Sequence, residues 1–400
     1  MSGAQRTKKA LRGLGGTALL CGVLSLLACG GGGVSVNETS NSGAWRWVLP
    51  ANFPTPRVPE SNPLSPAKVE LGRYLFYDRR LSGNGLQACA SCHHQDKAFT
   101  DGLTRSIGST GEMHPRNAQS LANAVYHPTL TWVNPSLLSL EAQLQVPLFG
   151  DNPVEMGVNE GNVDSVLDRI RSDTRYPAMF VQAFGDEVES ISWGRITQAI
   201  ASFQRTLISG NSRFDQALSG KTVLSAAEQR GQTLFFGEKA ECFHCHSGHN
   251  FNDQVVHAST RVLDLPFHNT GLYNIGGTGN FPEGNQGLFE FTAKPEDRGR
   301  FRAPSLRNVE VTAPYMHDGS IGTLEEVLDF YAAGGRLITT GPNAGDGRVH
   351  PNKSDLISLI NLNVQERADL VAFLKTLTDH EFLTNPALSD PFSNPPATRP

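Results

Sequence analysis

Two short stretches of the sequence share the pattern Cys-x-x-Cys-His. The letters C-A-S-C-H occupy residues 89–93, and C-F-H-C-H occupy residues 242–246. Two thiols at this spacing followed at once by an imidazole are the attachment signature of a c-type haem, in which the thiols bond to the porphyrin and the histidine binds iron. The repeated pattern therefore predicts two covalently bound c-type haems, with His93 and His246 as their iron ligands.

The cysteine count supports this assignment. Of six cysteines, Cys21 and Cys29 lie near the N-terminus, and the other four all belong to the two motifs, as Cys89, Cys92, Cys242 and Cys245. Two disulfides are an alternative use of these four thiols in an exported chain. A zinc site would need two further ligands at each motif, and a redox dithiol would leave both histidines unexplained.

The N-terminus reads as an export signal. Basic residues in the first dozen positions precede an apolar run that is too short to span a bilayer. The run ends in L-L-A-C-G, which resembles the lipobox of bacterial lipoproteins, with Cys29 as the lipidated residue. We therefore expect a lipoprotein signal peptide over 1–28 and a flexible tether over 29–47. The alternative is an ordinary signal peptide that is cut elsewhere.

The length and net charge indicate a globular protein that does not bind nucleic acid. The 400 residues are 38% hydrophobic and carry a net charge of -5, which suits two ordinary globular domains and offers no basic surface for nucleic acid. Gly30 after the lipobox cysteine favours the outer membrane. We expect a periplasmic protein that touches the membrane only through a lipid at Cys29.

The residues around the two motifs repeat. Gly-x-x-Leu-Phe begins at Gly72 before the first motif and at Gly231 before the second, each within a helical pattern. Two later apolar stripes predict the helices that pack on these: Ile196, Ile200, Phe203 and Leu207, and Val364, Leu370, Val371, Phe373, Leu374 and Leu377. The repeat predicts a mainly α fold of two tandem cytochrome c-like domains, each with one covalent haem, over 48–214 and 215–384, followed by a tail over 385–400.

Several stretches outside the motifs resemble the bacterial dihaem cytochrome c peroxidase and MauG superfamily. They are L-G-R-Y-L-F-Y-D, P-R-N-A-Q-S-L-A-N-A, S-L-E-A-Q-L-Q-V-P-L-F, N-P-V-E-M-G, F-R-A-P-S-L-R-N-V and T-A-P-Y-M-H-D-G-S-I-G-T-L-E-E-V. They follow the order of the family from about residue 45 to 380. W-V-L-P-A-N-F-P-T-P-R-V-P and L-T-W-V-N-P-S-L-L-S-L-E-A-Q look most like the MbnH branch.

The resemblance implies that the first haem is open. Peroxidases of the family carry a displaceable histidine after Ile-Gly, just before Pro-Arg-Asn, and the stretch I-G-S-T-G-E-M-H-P-R-N places Ser109 at that position. Serine is a poor iron ligand, so the haem should bind hydrogen peroxide without prior reduction. His114 is the alternative ligand, and an ordinary surface-loop histidine is the simpler interpretation of it.

The resemblance also implies a tyrosine ligand on the second haem. Fourteen residues after His317, where peroxidases of the family carry a methionine and MauG-like members a tyrosine, the chain has Tyr331. An anionic phenolate donates charge to iron and favours its higher oxidation states, whereas a thioether favours ferrous iron. Met316 is the alternative ligand, and Tyr331 would then be a core residue.

Four more residues receive catalytic roles from the resemblance. Glu155 matches the carboxylate that moves a proton between peroxide oxygens. Gln143 and Pro147 match residues that orient peroxide or water, and Trp132 matches an indole that relays electrons between the haems, with an ordinary core indole as its alternative. The interval from Gln143 to Glu155 is two residues longer than the family pattern, and that from Trp132 to Gln143 is one residue longer.

An interdomain calcium ion is the last cofactor that the resemblance implies. Its ligands would be Asn117, Thr312 and Pro314, two of them through backbone carbonyls, which suits a hard cation.

The expected function follows from these assignments. The enzyme would activate hydrogen peroxide at the first haem, store two oxidising equivalents over both haems and oxidise a tryptophan on a partner protein. The resemblance to the MbnH branch suggests a copper-binding partner. Ala240 stands where MauG has a surface tryptophan, so the electrons must take another route or the partner must dock closer to the haem. The alternatives are a peroxidase fed by a small cytochrome c or cupredoxin, and a dihaem electron carrier without enzymatic activity.

Overall fold

A computed structural model describes residues 43–185 and 191–393. The signal peptide predicted over 1–28, the predicted lipidation site Cys29, most of the tether predicted over 29–47 and the last residues, 394–400, lie outside the described part of the chain. Within that part, no helix is both long enough and apolar enough to cross a membrane.

The fold is mainly helical, as predicted, and its helices are joined by long irregular loops. The α-helices are α1 (Pro66–Tyr77), α2 (Leu140–Phe149), α3 (Val163–Arg171), α4 (Tyr176–Phe184), α5 (Trp193–Arg205), α6 (Arg213–Leu218), α7 (Ala226–Phe235), α8 (Phe289–Thr292), α9 (Leu324–Ala332), α10 (Val364–Lys375) and α11 (His380–Thr384). Two short strands, β1 (Leu337–Ile338) and β2 (Gly345–Asp346), pair antiparallel. Both haem motifs begin with a 3₁₀ turn, at Cys89–Ser91 and Cys242–His244.

Helices α1 and α5 form the core of the N-terminal half. Ser65 caps α1 by accepting a hydrogen bond from the backbone of Lys68, and Pro66 starts the helix where an N–H is not needed. A Cβ on Gly72 would lie 1.9 Å from the carbonyl oxygen of Ala199, so only glycine permits this close crossing.

Helices α7 and α10 repeat the same packing in the C-terminal half. A Cβ on Gly231 would lie 1.9 Å from the carbonyl oxygen of Asp369 and 2.8 Å from the Cβ of Phe373. Ser225 and Glu228 form the predicted capping box at the start of α7. The two apolar stripes therefore pack where the repeat predicted them.

A third apolar cluster lies beside the core that α7 and α10 form in the C-terminal half. It is formed by Trp132, Val133, Leu272, Tyr273, Phe281, Phe301, Ile321 and Phe330, with Tyr331 and Met316 packed against it. Its residues come from both sides of the second motif in sequence, so it positions the loops of the C-terminal half.

The C-terminal segment packs on the N-terminal core. Phe382, Leu383 and Leu388 are buried in the same cluster as α1 and α5. The carbonyl oxygen of Leu388 accepts a hydrogen bond from Tyr77 Oη at 2.8 Å. The division at 214 and 215 remains a prediction, but these contacts attach residues 382–388 to the first half rather than to the second half or to a free tail.

Candidate functional site

The first motif holds its histidine in one orientation. His93 is half-buried, and its Nδ1 donates to the backbone carbonyl of Phe99 at 2.6 Å. Phe99 has a φ of +63°, which turns its carbonyl back toward the motif. Because Nδ1 carries the proton, Nε2 keeps the lone pair that an iron ligand requires.

The second motif repeats this arrangement. His246 is half-buried, and its Nδ1 donates to the carbonyl of Phe251 at 3.1 Å, where φ is +50°. Burial lowers the pKa of both His93 and His246, so each imidazole stays neutral and available to a metal.

The four motif cysteines carry free thiols, so neither motif forms the disulfide considered from the sequence. Burial raises the pKa of Cys89 and Cys242 to about 12 and that of Cys92 to about 11. Thiols with raised pKa values are poor redox nucleophiles, because the thiolate is the reactive form. Covalent attachment to a buried apolar group is therefore the use that fits them.

Glu155 lies beside the first motif. Its carboxylate contributes to the electrostatic environment of Cys89, Cys92 and His93. Its backbone carbonyl accepts a 2.7 Å hydrogen bond from the N–H of Ser109. The structure thus brings together Ser109 and Glu155, the two residues that the sequence assigned to the peroxide side of the first haem.

Helix α2 carries Gln143 and Pro147 one turn apart on the same face. The carbonyl of Pro147 accepts a 2.8 Å hydrogen bond from the N–H of Met156, the residue after Glu155. A turn with a bridge between Asp151 and Val154 accommodates the longer interval and returns Glu155 to the end of α2.

A cavity of about 240 Å³ lies against the second motif. Its walls include the motif residues Cys242, Cys245 and His246, together with Trp132 and Tyr331. Ala240 is buried and also lines the cavity, so the position that holds a surface tryptophan in MauG belongs here to the cavity wall.

Several buried side-chain nitrogens around this cavity have no hydrogen-bond partner in the described part of the chain. They are Nε and Nη1 of Arg302 and Nε2 of His127 and of His317. Burial lowers the pKa of Arg302 to about 10, and an unpaired buried cation is costly. An apolar cavity ringed by orphaned donors suits a large apolar group that carries carboxylates. The propionates of a haem meet this requirement, so the residues present fit the cofactor.

Both candidate ligands of the second haem line the cavity. Tyr331 Oη makes no hydrogen bond to a described residue, and burial raises the pKa of Tyr331. Met316 lines the same cavity from a left-handed backbone position with a φ of +71°. A buried phenol ionises only next to a strong positive charge, so the tyrosine assignment depends on the metal.

Trp132 and the predicted calcium ligands share one network. Trp132 Nε1 donates to the carbonyl of Asn117 at 2.9 Å, and the N–H of Asn117 donates to His317 at 2.8 Å. Asn117 Nδ2 donates to Leu103, which leaves Oδ1 without a hydrogen bond from a described residue. Thr312 and Pro314 line the same cavity. These neutral oxygen donors fit calcium, which remains a proposal.

Sequence reasoning missed an ion pair beside the second motif. His268 Nε2 lies 2.5 Å from Asp253 Oδ2, close to Cys245. Burial opposes the charge of His268, but Asp253 and the Cys245 sulfur outweigh it and raise the pKa to about 10. As a thioether Cys245 would carry no charge, so the contribution of Asp253 is the one that would remain. No spacing in the sequence pointed to this pair. Arg302, in contrast, lies within F-R-A-P-S-L, one of the stretches that carry the family resemblance.

Comparisons with known proteins agree on one family. A family model described as di-haem cytochrome c peroxidase matches residues 66–223. The cytochrome-c peroxidase IdrP1 of Denitromonas iodatirespirans is 37% identical over 84% of this chain and 87% of its own. The methylamine utilization protein MauG of Methylorubrum extorquens is 35% identical over 89% of this chain and 91% of its own.

Solved structures extend the comparison to the fold. A MauG-like protein associated with microbial copper homeostasis is 56% identical, with a TM-score of 0.86, over 87% of this chain and 100% of its own. The diheme peroxidase BthA of Burkholderia thailandensis, 21% identical over 85% of this chain and 95% of its own, shares the fold with a TM-score of 0.63.

Proposed function

The chain belongs to the dihaem cytochrome c peroxidase and MauG family of haem-dependent oxidoreductases, and from this premise we propose that it uses hydrogen peroxide to oxidise a tryptophan on a partner protein. The observation that carries the proposal is the 2.7 Å backbone hydrogen bond between Ser109 and Glu155. It holds Ser109, at the position where the family's peroxidases carry a displaceable histidine, against the backbone of Glu155, whose carboxylate would handle the peroxide proton.

The motif residues would hold the cofactors. Cys89, Cys92 and His93 would bind the first haem, and Cys242, Cys245 and His246 the second. When bound, the haems supply the activation of peroxide and the storage of two oxidising equivalents. Glu155 accepts a proton from one peroxide oxygen and returns it to the other, while Gln143 and Pro147 on α2 shape the space that peroxide enters.

The second half would hold the oxidising equivalents and pass them on. Tyr331 is the proposed ligand because it lines the cavity with an uncommitted Oη. Trp132 is the proposed relay, since its indole lines the same cavity and its N–H is fixed by Asn117. A calcium ion at Asn117, Thr312 and Pro314 would hold this network in place.

The proposed partner is a protein of copper handling. Support comes from the 56% identical MauG-like protein, whose description associates it with microbial copper homeostasis. We place the enzyme in the periplasm, attached to the outer membrane by a lipid on Cys29.

Electron paramagnetic resonance of the diferric protein tests the proposal. One equivalent of hydrogen peroxide, added without prior reduction, should remove both the high-spin and the low-spin ferric signals. Persistence of both signals, with reaction only after half-reduction, would show that a hidden ligand closes the first haem, and the proposal would then be wrong.

The Glu155→Gln variant provides the matched control. It keeps the shape of the side chain but removes the base, so the signals should persist on the timescale of the wild-type reaction. Mass spectrometry of a periplasmic extract treated with peroxide and either enzyme should find oxidised tryptophan only with the wild type.

A peroxidase that takes electrons from a small cytochrome c or cupredoxin is the second candidate. Two observations favour it: Met316 lines the second cavity, and IdrP1, a cytochrome-c peroxidase, is 37% identical. Steady peroxide consumption with reduced cytochrome c, but only after prior reduction of the enzyme, would support this candidate.

A further inference from the structure

Residues 106–114 form a tight hairpin with Ser109 at the start of its turn. The N–H of Gly108 donates to Glu112 at 2.8 Å, and the N–H of His114 donates to Ser106 at 2.8 Å. Ile107 and Met113 pair between these bonds, and Gly111 turns the chain with a φ of +90°. His114 therefore lies at the base of the hairpin, in register with Ser106.

The hairpin is fastened to the segment that carries Glu155. Besides the bond from Ser109, the side chain of Glu112 accepts from the N–H of Val154 at 2.9 Å. A Cβ on Gly108 would lie 1.8 Å from the carbonyl oxygen of Val154, so the two backbones are in direct contact. This contact limits how far His114 and Glu155 can move relative to each other.

The hairpin is also tied to the first haem motif. Gln87 Nε2 donates to the carbonyl of Ile107 at 2.8 Å and lies 3.9 Å from the sulfur of Cys92. Asn84 Nδ2 donates to the carbonyl of Ser109 at 2.7 Å. The motif, the hairpin and the Glu155 segment therefore form one connected unit.

The ring of His114 faces the Glu155 carboxylate. His114 Nε2 lies 3.4 Å from Glu155 Oε1, and the two side chains are 28% and 36% exposed. The backbone N–H of Arg116 donates to His114 Nδ1 at 3.2 Å. The carbonyl oxygen of Arg116 also lies 3.2 Å from Nδ1, so the Arg116 backbone fits either tautomer. The proton of the neutral ring is assigned to Nε2 because that nitrogen faces the Glu155 carboxylate, which can only accept.

Other charges do not compete for this contact. The guanidinium of Arg116 pairs with both carboxylate oxygens of Glu290, at 2.5 and 2.6 Å. Glu112 uses its carboxylate on the backbone of Val154. His114 is therefore the one cationic or N–H-bearing side chain that the described residues pair with Glu155.

We propose that His114 is a positioning residue, which holds Glu155 Oε1 through its Nε2–H and leaves Oε2 to exchange the proton of peroxide. The inference rests on the proposed function and assigns a role to a histidine that the sequence left as either an iron ligand or a surface residue. His114 neither gains nor loses a proton: the proton that Oε2 takes from one peroxide oxygen returns to the other. A separation of 3.4 Å is long for a hydrogen bond, and such contacts shorten when substrate binds.

The experiment compares His114→Gln, His114→Leu and Glu155→Gln in the full-length diferric protein. Glutamine places an amide N–H near the former Nε2, whereas leucine removes the donor at similar size. Stopped-flow absorption gives the second-order rate constant for peroxide. Cyanide association gives a second rate constant without any oxidation, because hydrogen cyanide must lose its proton to a base before the anion binds.

We expect His114→Leu to lower both rate constants about tenfold and His114→Gln to keep them within about threefold, while Glu155→Gln lowers the peroxide constant by at least about 100-fold. Because His114 acts through Glu155, the His114→Leu/Glu155→Gln double variant should be no slower than Glu155→Gln alone. Haem content and thermal unfolding of each variant would reveal a change in folding.

Each other outcome has a distinct meaning. Wild-type rates in His114→Leu, or equal losses in the leucine and glutamine variants, would overturn the role of His114 while leaving Glu155 in place. If Glu155→Gln reacts at the wild-type rate, the proposed function itself fails. If His114→Leu reacts faster and its first haem changes from low to high spin, His114 is an iron ligand and not a positioning residue.

Discussion

Gly231 lies directly against the carbonyl oxygen of Asp369, at a distance that leaves no room for a side chain. Any Cβ at residue 231 would approach this oxygen to 1.9 Å. Gly231→Ala should therefore push α7 away from α10 and lower the free energy of unfolding by about 2–3 kcal/mol, the usual cost of overpacking. Chemical denaturation of the holoprotein measures this loss.

Gly194→Ala is the matched control. Gly194 lies in the first turn of α5, and an added Cβ would meet no atom within 4 Å. Alanine favours a helix over glycine, so this variant should be unchanged or more stable by up to about 1 kcal/mol. Equal effects in both variants would contradict the close crossing.

Arg302 should set the reduction potential of the second haem. Its buried, partly unpaired guanidinium stabilises the reduced state, in which the iron carries less positive charge. Arg302→Gln should lower this potential by roughly 60 mV, equivalent to ~1.4 kcal/mol for one electron. Spectroelectrochemical titration measures it, with the exposed Arg348→Gln as control. An unchanged potential would mean that Arg302 does not face the haem.

Tyr331→Met tests the ligand of the second haem. If the phenolate binds the iron, replacing it by a thioether should raise the reduction potential by on the order of 100 mV, because axial ligands tune haem potentials over about 0.8 V. Met316→Leu is the comparison, since Met316 lines the same cavity. A large shift in Met316→Leu, with little change in Tyr331→Met, would transfer the ligand role to the methionine.

Phe382→Ala should destabilise the N-terminal half. Phe382 is buried, and its ring centroid lies 5.6 Å from that of Phe99, the residue whose carbonyl orients His93. Loss of a buried phenylalanine costs about 3–5 kcal/mol, so the unfolding midpoint should fall. Phe392→Ala, at a more exposed ring, should cost less than about 1 kcal/mol. Similar costs for the two variants would argue against the packing of this segment.

The Asp215–Arg307 pair should make the free energy of unfolding depend on pH in the acidic range. Burial opposes the charge of Asp215, but two hydrogen bonds from Arg307, at 2.7 and 3.0 Å, outweigh it and lower the pKa of Asp215. A lowered pKa in the folded state gives stability at pH values above the unfolded pKa of about 4, and this stability is lost as the pH falls through the folded value.

Asp215→Asn measures that contribution. The variant should be less stable than the wild type by about 1–3 kcal/mol at pH 7, and the difference should shrink below about pH 4. The pH dependence of urea denaturation gives the comparison. A difference that stays constant from pH 7 to pH 3 would show that the loss is one of packing, not of charge.

The helices were predictable because short sequence patterns specify them. Gly-x-x-Leu-Phe, the capping box at Ser225 and the apolar stripes each specify a helix or its packing face over a few residues. The roles of the motif cysteines and histidines were equally predictable, since their chemistry depends on a fixed local spacing. These predictions needed no knowledge of distant contacts.

Distant contacts are what the sequence did not supply. The pairing of His268 with Asp253 joins two loops that have no regular structure. The closeness of His114 to Glu155 depends on a hairpin that contacts a segment 41 residues further along the chain. Such contacts follow from tertiary packing, for which neither periodicity nor capping residues give a signal. The orphaned donors of Arg302 are of the same kind, because burial becomes visible only in the folded chain.

The packing of residues 382–388 on α1 and α5 has a consequence for the order of folding. A protein made of two domains in tandem can complete its first domain while the second is still being synthesised. Here the core around the first motif includes Leu388, so that core cannot be completed until nearly the whole chain is available to fold. The first haem site therefore lies early in the sequence but depends for its core on residues near the end of the chain. If the gene were divided at its midpoint, the N-terminal half would lack part of its own core.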